Sequence, residues 1–329
     1  EKLRGEGARS LVLDLRGNPG GLLDQGVGIS DLFLTRGQAV VETRARDPRE
    51  SETYRAMTPD SYEGLTVAVL VDGYSASAAE IVAGALQDHD RAVVLGTTTY
   101  GKGSVQSLFP LSGGNFLKMT TAKWYTPVGR SIQKDVKEGD QTAAAAADPA
   151  VMGADGTPVE QDTTKRVPYR TDSGRTVFGG GGIVPDMIVR QDTATEAEKE
   201  FFRAASRQAA KFQDALFGYA VAYERAHPEL RPDFAVTPQM RREFFDRLRA
   251  NGVEVTLEQF NGAQRFIDAQ LIDEIARSKF GPPVAVRRDD ATDRVLQEAV
   301  RLLRQSPDTQ ALIRSVQQRP AAQGTASRR

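Results

Sequence analysis

The apolar positions in the first hundred residues fall in short dense runs separated by turn residues. Ser10-Leu-Val-Leu-Asp-Leu15, Val67-Ala-Val-Leu-Val71 and Val93-Val-Leu95 are too short for helices and rich in aliphatic side chains, so each predicts a buried strand. Between the second and third lies Ser77-Ala-Ala-Glu-Ile-Val-Ala-Gly-Ala-Leu86, which reads as a helix. Strands alternating with helices up to Leu95 predict an α/β layer structure with a partly parallel sheet. From there the pattern changes. Val105-Gln-Ser-Leu-Phe109 and Asn115 to Thr126 flank Ser112-Gly-Gly114, which predicts a β-hairpin.

After Arg190 the spacing becomes helical. Thr195-Glu-Ala-Glu198 is a start signal, and Phe201, Ala205, Phe212, Leu216 and Tyr219 recur at roughly helical intervals. Helices are predicted over Pro238 to Ala250, Thr256 to Phe280, Asp289 to Gln305 and Pro307 to Gln318, with Pro282-Pro283 as a break. Residues 191–319 thus form a mostly helical C-terminal domain whose Phe and Leu stripes supply its core. Its expected role is docking on the N-terminal core or dimerisation. A low-complexity stretch over about 134–175, with Ala143 to Ala147 and many Gly, Asp and Thr residues, has little to bury and predicts a mobile loop, or a lid over a site. Residues 320–329 read as a disordered tail.

A chain of 329 residues has room for two domains, and 40% hydrophobic residues with a formal charge of −1 describe an ordinary globular protein. With no basic patch, no nucleic-acid partner is expected. No apolar stretch approaches the roughly 20 residues that span a bilayer. Zero cysteines exclude disulfides, thiolate metal sites and a cysteine nucleophile, and two distant histidines do not make a zinc site. No metal or cofactor is expected. The start at Glu1, without an initiator methionine or an apolar leader, reads as a fragment.

Ser77 opens the predicted helix, and Lys102 lies in a Gly101-Lys102-Gly103 turn 25 positions later. A serine hydroxyl needs a base beside it. The imidazoles available are His89 and His227, so a lysine is the other source; its ammonium serves only if burial in an apolar pocket depresses its pKa. The bland reading of Ser77-Ala-Ala-Glu80 is a capping box. The two are compatible, because a helix N-terminus also presents N–H groups where an oxyanion forms. Ser75 is the rival nucleophile.

Three runs carry a resemblance. Leu13-Asp-Leu-Arg-Gly-Asn-Pro-Gly-Gly21, Gly73-Tyr-Ser-Ala-Ser77-Ala-Ala-Glu-Ile81 and Gly96-Thr-Thr-Thr-Tyr-Gly-Lys102-Gly-Ser-Val-Gln106 together resemble the carboxy-terminal processing proteases, or tail-specific proteases, of the S41 type. Leu86 to Ala92 and Gly179-Gly-Gly-Gly-Ile-Val-Pro-Asp186 agree, so the resemblance covers about residues 9–190. It implies a ClpP/crotonase-like spiral core over 1–190 and a serine endopeptidase that cuts flexible C-terminal tails of proteins. Ser77 would be the nucleophile, Lys102 the base, and Gln106 the residue that positions the lysine amine. Alternation past the turn places Lys102, Ser104 and Gln106 on one face.

The oxyanion hole would use backbone donors from Ala78 and from Gly20 or Gly21, a turn that reads equally as a plain β-turn. Asp14 and Arg16 are expected to hold that turn, and Glu80 to cap the helix beneath Ser77. The family also implies an upstream export signal and PDZ domain, and an extracytoplasmic address. Two other classes stay open, a crotonase-like acyl-CoA enzyme and an inactive peptide-binding protein, because fold alone does not fix function.

Overall fold

The protein is described by a computed structural model over residues 1–134, 166–191 and 194–318. In chain order its strands are β1 (Ser10–Asp14), β2 (Ala39–Ala45), β3 (Glu52–Arg55), β4 (Thr66–Val71), β5 (Ala92–Gly96), β6 (Ser104–Pro110), β7 (Phe116–Tyr125), β8 (Pro168–Arg170), β9 (Thr176–Phe178) and β10 (Met187–Ile188). The first helices are α1 (Lys2–Gly5), α2 (Leu23–Asp31) and α3 (Ala78–Asp88).

The three short apolar runs form β1, β4 and β5 of one parallel sheet, which β10 completes in the order β1-β4-β5-β10. Every residue of β4 and of β5 is buried, as expected of parallel strands covered on both faces and written as unbroken apolar runs. Crossover between β4 and β5 is made by α3, and all of its residues are buried too. Small side chains allow this; a Cβ on Gly84 would meet Ile183 and Thr126 at 3.0 Å. A second, antiparallel sheet runs β3-β2-β7-β6. Its β6-β7 hairpin turns at Ser112–Gly114 as predicted, while β2 and β3 mix polar with apolar residues and escaped the pattern reading.

The expected loop over 134–175 is corrected at its far end, while its 135–165 portion lies outside the described residues. Residues 168–178 form the β8-β9 hairpin, and ion pairs tie it to the end of α3. Arg175 bonds Asp90 and Asp186, and Ser173 N–H donates to Asp90. Buried Arg130 pairs with buried Asp88 at the same end. Few apolar residues mark this stretch because its anchors are ionic.

By internal packing the chain divides into residues 1–190 with 298–329, and residues 191–297. A single helical domain over 191–319 is therefore corrected. Helix Thr309–Gln317 returns to the first unit, where it lies against β4 and β5 with Leu312, Ile313 and Val316 buried. The second unit is helical, and Phe201, Phe212, Leu216, Tyr219 and Phe244 form its core. Thr195 caps its first helix and Pro238–Ala250 is a helix. The break expected at Pro282-Pro283 is present: helix Gln264–Phe280 ends at Gly281 and the prolines open helix Pro282–Thr292, since proline suits the first turn. The expected tail at 320–329 lies outside the described residues. Among the described residues no helix is long and apolar enough to cross a membrane.

Candidate active site

Ser77 stands at the junction of β4 and α3 in a backbone conformation with φ 54° and ψ −119°. That region is favoured by glycine, and holding another residue there costs on the order of 1–3 kcal/mol. Its hydroxyl forms no side-chain cap hydrogen bond. The other half of the expected capping arrangement is present, with the Ser77 N–H donating to Glu80 Oε2 at 2.8 Å.

Glu80 reaches further than a cap. The same Oε2 accepts the Lys102 N–H at 2.9 Å, while Oε1 accepts the Gly101 N–H at 2.7 Å and the Thr99 hydroxyl at 2.5 Å. One fully buried carboxyl thus joins the Ser77 turn to the Lys102 turn. Burial pushes its pKa up to about 7, against hydrogen bonds from Thr99, Lys102, Gly101 and Ser77 that pull it down.

The turn before Ser77 is organised by Asp72, whose Oδ1 accepts N–H groups from Gly17 at 3.0 Å, Tyr74 at 2.9 Å and Ser75 at 3.0 Å. Ser75 is buried, and its hydroxyl donates to Leu15 O at 2.7 Å. It is tied into the turn, whereas Ser77 is half-buried.

The glycine turn separates Gly20 from Gly21. A Cβ on Gly20, which has φ +97°, would fall 2.6 Å from Ser77 Cβ and 2.9 Å from Ala78 N, while one on Gly21 would meet nothing within 4 Å. Gly20 therefore permits the close approach. Its own N–H is engaged by Asn18 Oδ1 at 2.9 Å, and Asn18 O accepts the Ala76 N–H at 2.9 Å. Neither Ala78 N–H nor Gly21 N–H has a hydrogen-bond partner among the described residues. Arg16 and Asp14 hold the preceding turn through bonds of 2.9 and 2.6 Å.

Lys102 does not sit in an apolar pocket. Its side chain is exposed, as is Gln106, and among the described residues no hydrogen bond joins Ser77 Oγ, Lys102 and Gln106. A shift of register in the β6-β7 pairing falls between Val105 and Gln106. The backbone of the Lys102 turn, by contrast, is fully engaged: Trp124 Nε1 donates to Lys102 O at 3.0 Å and Gly103 N–H donates to Gln133 Oε1 at 2.9 Å.

The histidines are occupied elsewhere. His89 ends α3, with Nε2 2.7 Å from Ala39 O and Nδ1 2.7 Å from Asp172 Oδ2, about 17 Å along the helix from Ser77. His227 stacks on Tyr223 at 4.0 Å in the second unit. Among the described residues no group of three His, Asp or Glu could hold a metal.

Residues 1–142 match peptidase family S41. Over 133 residues the chain is 50% identical to a carboxy-terminal-processing protease of Bartonella bacilliformis, which covers 40% of this chain and 29% of that protein. Over 131 residues it is 42% identical to a probable CtpA-like serine protease of Staphylococcus haemolyticus, covering 40% and 26%. Among solved structures, the photosystem II D1 C-terminal processing protease is 35% identical over 40% of this chain and 34% of that one, with a TM-score of 0.37. The chain spans less than a third of the length of these curated relatives. The likeness to peptidase family S41 is carried by residues 1–142, which hold Ser77, Lys102 and Gln106.

Proposed function

We propose that the chain carries the catalytic core of a serine endopeptidase in which Ser77 is the nucleophile and Lys102 the general base, cutting flexible C-terminal regions of proteins. The observation that carries this reading is the Glu80 carboxyl, which binds the N–H of Ser77 and of Lys102 through one oxygen. A buried carboxyl spent on joining two distant turns is unexpected if Ser77 is only a cap. The strained φ of Ser77 and its uncommitted hydroxyl support the same reading.

In the reaction Ser77 Oγ attacks the scissile carbonyl carbon as its proton passes to the neutral Lys102 amine. Ala78 N–H and Gly21 N–H bind the oxygen as it gains charge. The tetrahedral intermediate collapses, the lysine ammonium protonates the leaving amine, and water then hydrolyses the acyl-enzyme by the same proton path. Lys102 is exposed, and the polypeptide substrate lying over the turn covers it. Gln106 holds the amine once the site is covered. An extracytoplasmic address and assembly into a homodimer accompany this reading.

Labelling with a serine-directed phosphonate followed by peptide mapping tests it. Modification at Ser77, abolished in Lys102→Ala, is expected. Labelling that is absent, or that falls on Ser75, contradicts it, and an acyl-CoA enzyme or a binding protein then takes its place.

A further inference from the structure

The two peptide planes that flank Lys102 are each held at both polar ends. In the first, Gly101 O accepts the Lys134 N–H at 3.0 Å and the Lys102 N–H donates to Glu80 at 2.9 Å. In the second, Lys102 O accepts the Trp124 indole N–H at 3.0 Å and the Gly103 N–H donates to Gln133 Oε1 at 2.9 Å. Peptide groups are rigid planes. Pinning both ends of two successive planes fixes φ and ψ of the residue between them, and with them the direction in which its side chain leaves the backbone.

Resting on the Ser77/Lys102 reading, we propose that Trp124 and Gln133 are positioning residues that aim the Lys102 side chain. Trp124, the chain's one tryptophan, is 2% exposed. A buried indole N–H requires an acceptor, and here the acceptor is the carbonyl of the base itself. Its main chain adds a second bond, Trp124 N–H to Gly103 O at 2.9 Å. Gln133 is matched to the turn in shape as well, since a Cβ on Gly103 would fall 2.9 Å from Gln133 N. Gln133 Nε2 donates to Lys134 O at 2.9 Å, which orients the amide so that its oxygen faces Gly103. The lysine amine lies at the end of a flexible stem, so a small rotation of its peptide planes moves the amine by a large arc. Aim matters because a displacement near 1 Å can cost about a hundredfold in rate.

The test uses the full chain with a flexible peptide substrate and a serine-directed probe that counts functional sites. Trp124→Phe keeps an aromatic ring and removes the N–H. Gln133→Met removes the acceptor. For Trp124→Phe and Gln133→Met we expect kcat per labelled site to fall by roughly tenfold to a hundredfold, KM to change little, and the rising limb of the rate against pH to move. A merely structural role would lower the number of labelled sites but leave the rate per site and the pH limb as in wild type, and that result overturns the proposal. Should Trp124→Phe not fold, replacing the single tryptophan by benzothienylalanine keeps its shape, and unchanged kinetics there overturn the proposal equally. A wild-type chain that neither hydrolyses nor labels at Ser77 sinks the Ser/Lys reading and this one with it. Labelled, active wild type with unaffected variants sinks this one alone.

Discussion

The main-chain N–H groups of Ser77 and Lys102 meet on one oxygen of Glu80, at 2.8 and 2.9 Å. Two turns that leave different strands are thereby set at a fixed spacing before any side chain of the pair is considered. Replacing the acceptor by an amide should disturb both at once, because an NH2 group cannot accept what two N–H groups donate. Glu80→Gln is expected to lower kcat about tenfold to a hundredfold. Wild-type turnover in the variant would remove Glu80 from the account.

Glu80 should also be visible in stability. Burial raises its pKa from the ordinary 4.5 to about 7, so the folded protein keeps a proton that the unfolded chain releases. The stability this group contributes is complete below pH 4.5 and is lost as pH rises through 7, a swing of about 3 kcal/mol. Denaturant unfolding across that window should show wild type losing stability relative to Glu80→Gln. A difference that is flat, or that runs the other way, contradicts it.

Ser77 pays a conformational cost for its place, and substitution should reveal it. Ser77→Ala is expected to abolish hydrolysis with little change in stability, since the hydroxyl makes no cap bond to lose. Ser77→Gly should be equally inactive yet more stable by about 1 kcal/mol, because glycine accepts a φ of 54° freely. Thermal melts of the three proteins side by side check this. Ser77→Gly melting below wild type would show the turn to be unstrained.

The glycines should part company. Gly20→Ala drives a methyl to within 2.6 Å of Ser77 Cβ and Ala76 O, and it should lose both activity and several degrees of melting temperature. Gly21→Ala meets nothing within 4 Å and keeps its N–H, so most of the activity should survive. Equal damage from the two would mean that the close approach at Gly20 is not what the turn provides.

Much of this core could be read in advance where the signal was local. The strands β1, β4 and β5, the helix that follows Ser77 and the Ser112–Gly114 hairpin are each written in a single dense run. What escaped depends on partners distant in the chain. Glu80 reads as a cap because its cap partner is three residues away, whereas Thr99, Gly101 and Lys102 lie about twenty further on. Trp124 reads as one aromatic of a strand, and nothing in its neighbours announces a bond to Lys102. Burial of Lys102 was expected from the apolar strands around it; the turn instead leaves the residue exposed, its N–H and C=O held by the Glu80 carboxyl and the Trp124 indole.

The central claim is that neutral Lys102 takes the proton of Ser77. Initial rates of peptide hydrolysis across pH, measured for wild type, Lys102→Ala, Lys102→Arg and His89→Ala with folding verified separately, test it most directly. Wild-type activity should rise with pH, as a general base requires. Both Lys102 variants should be as inactive as Ser77→Ala, because a guanidinium stays protonated at any working pH and two residues acting as one unit fail together. His89→Ala, altered at the far end of α3, should be mild. An active Lys102→Arg enzyme, or a dead His89→Ala enzyme that is folded, would contradict the dyad.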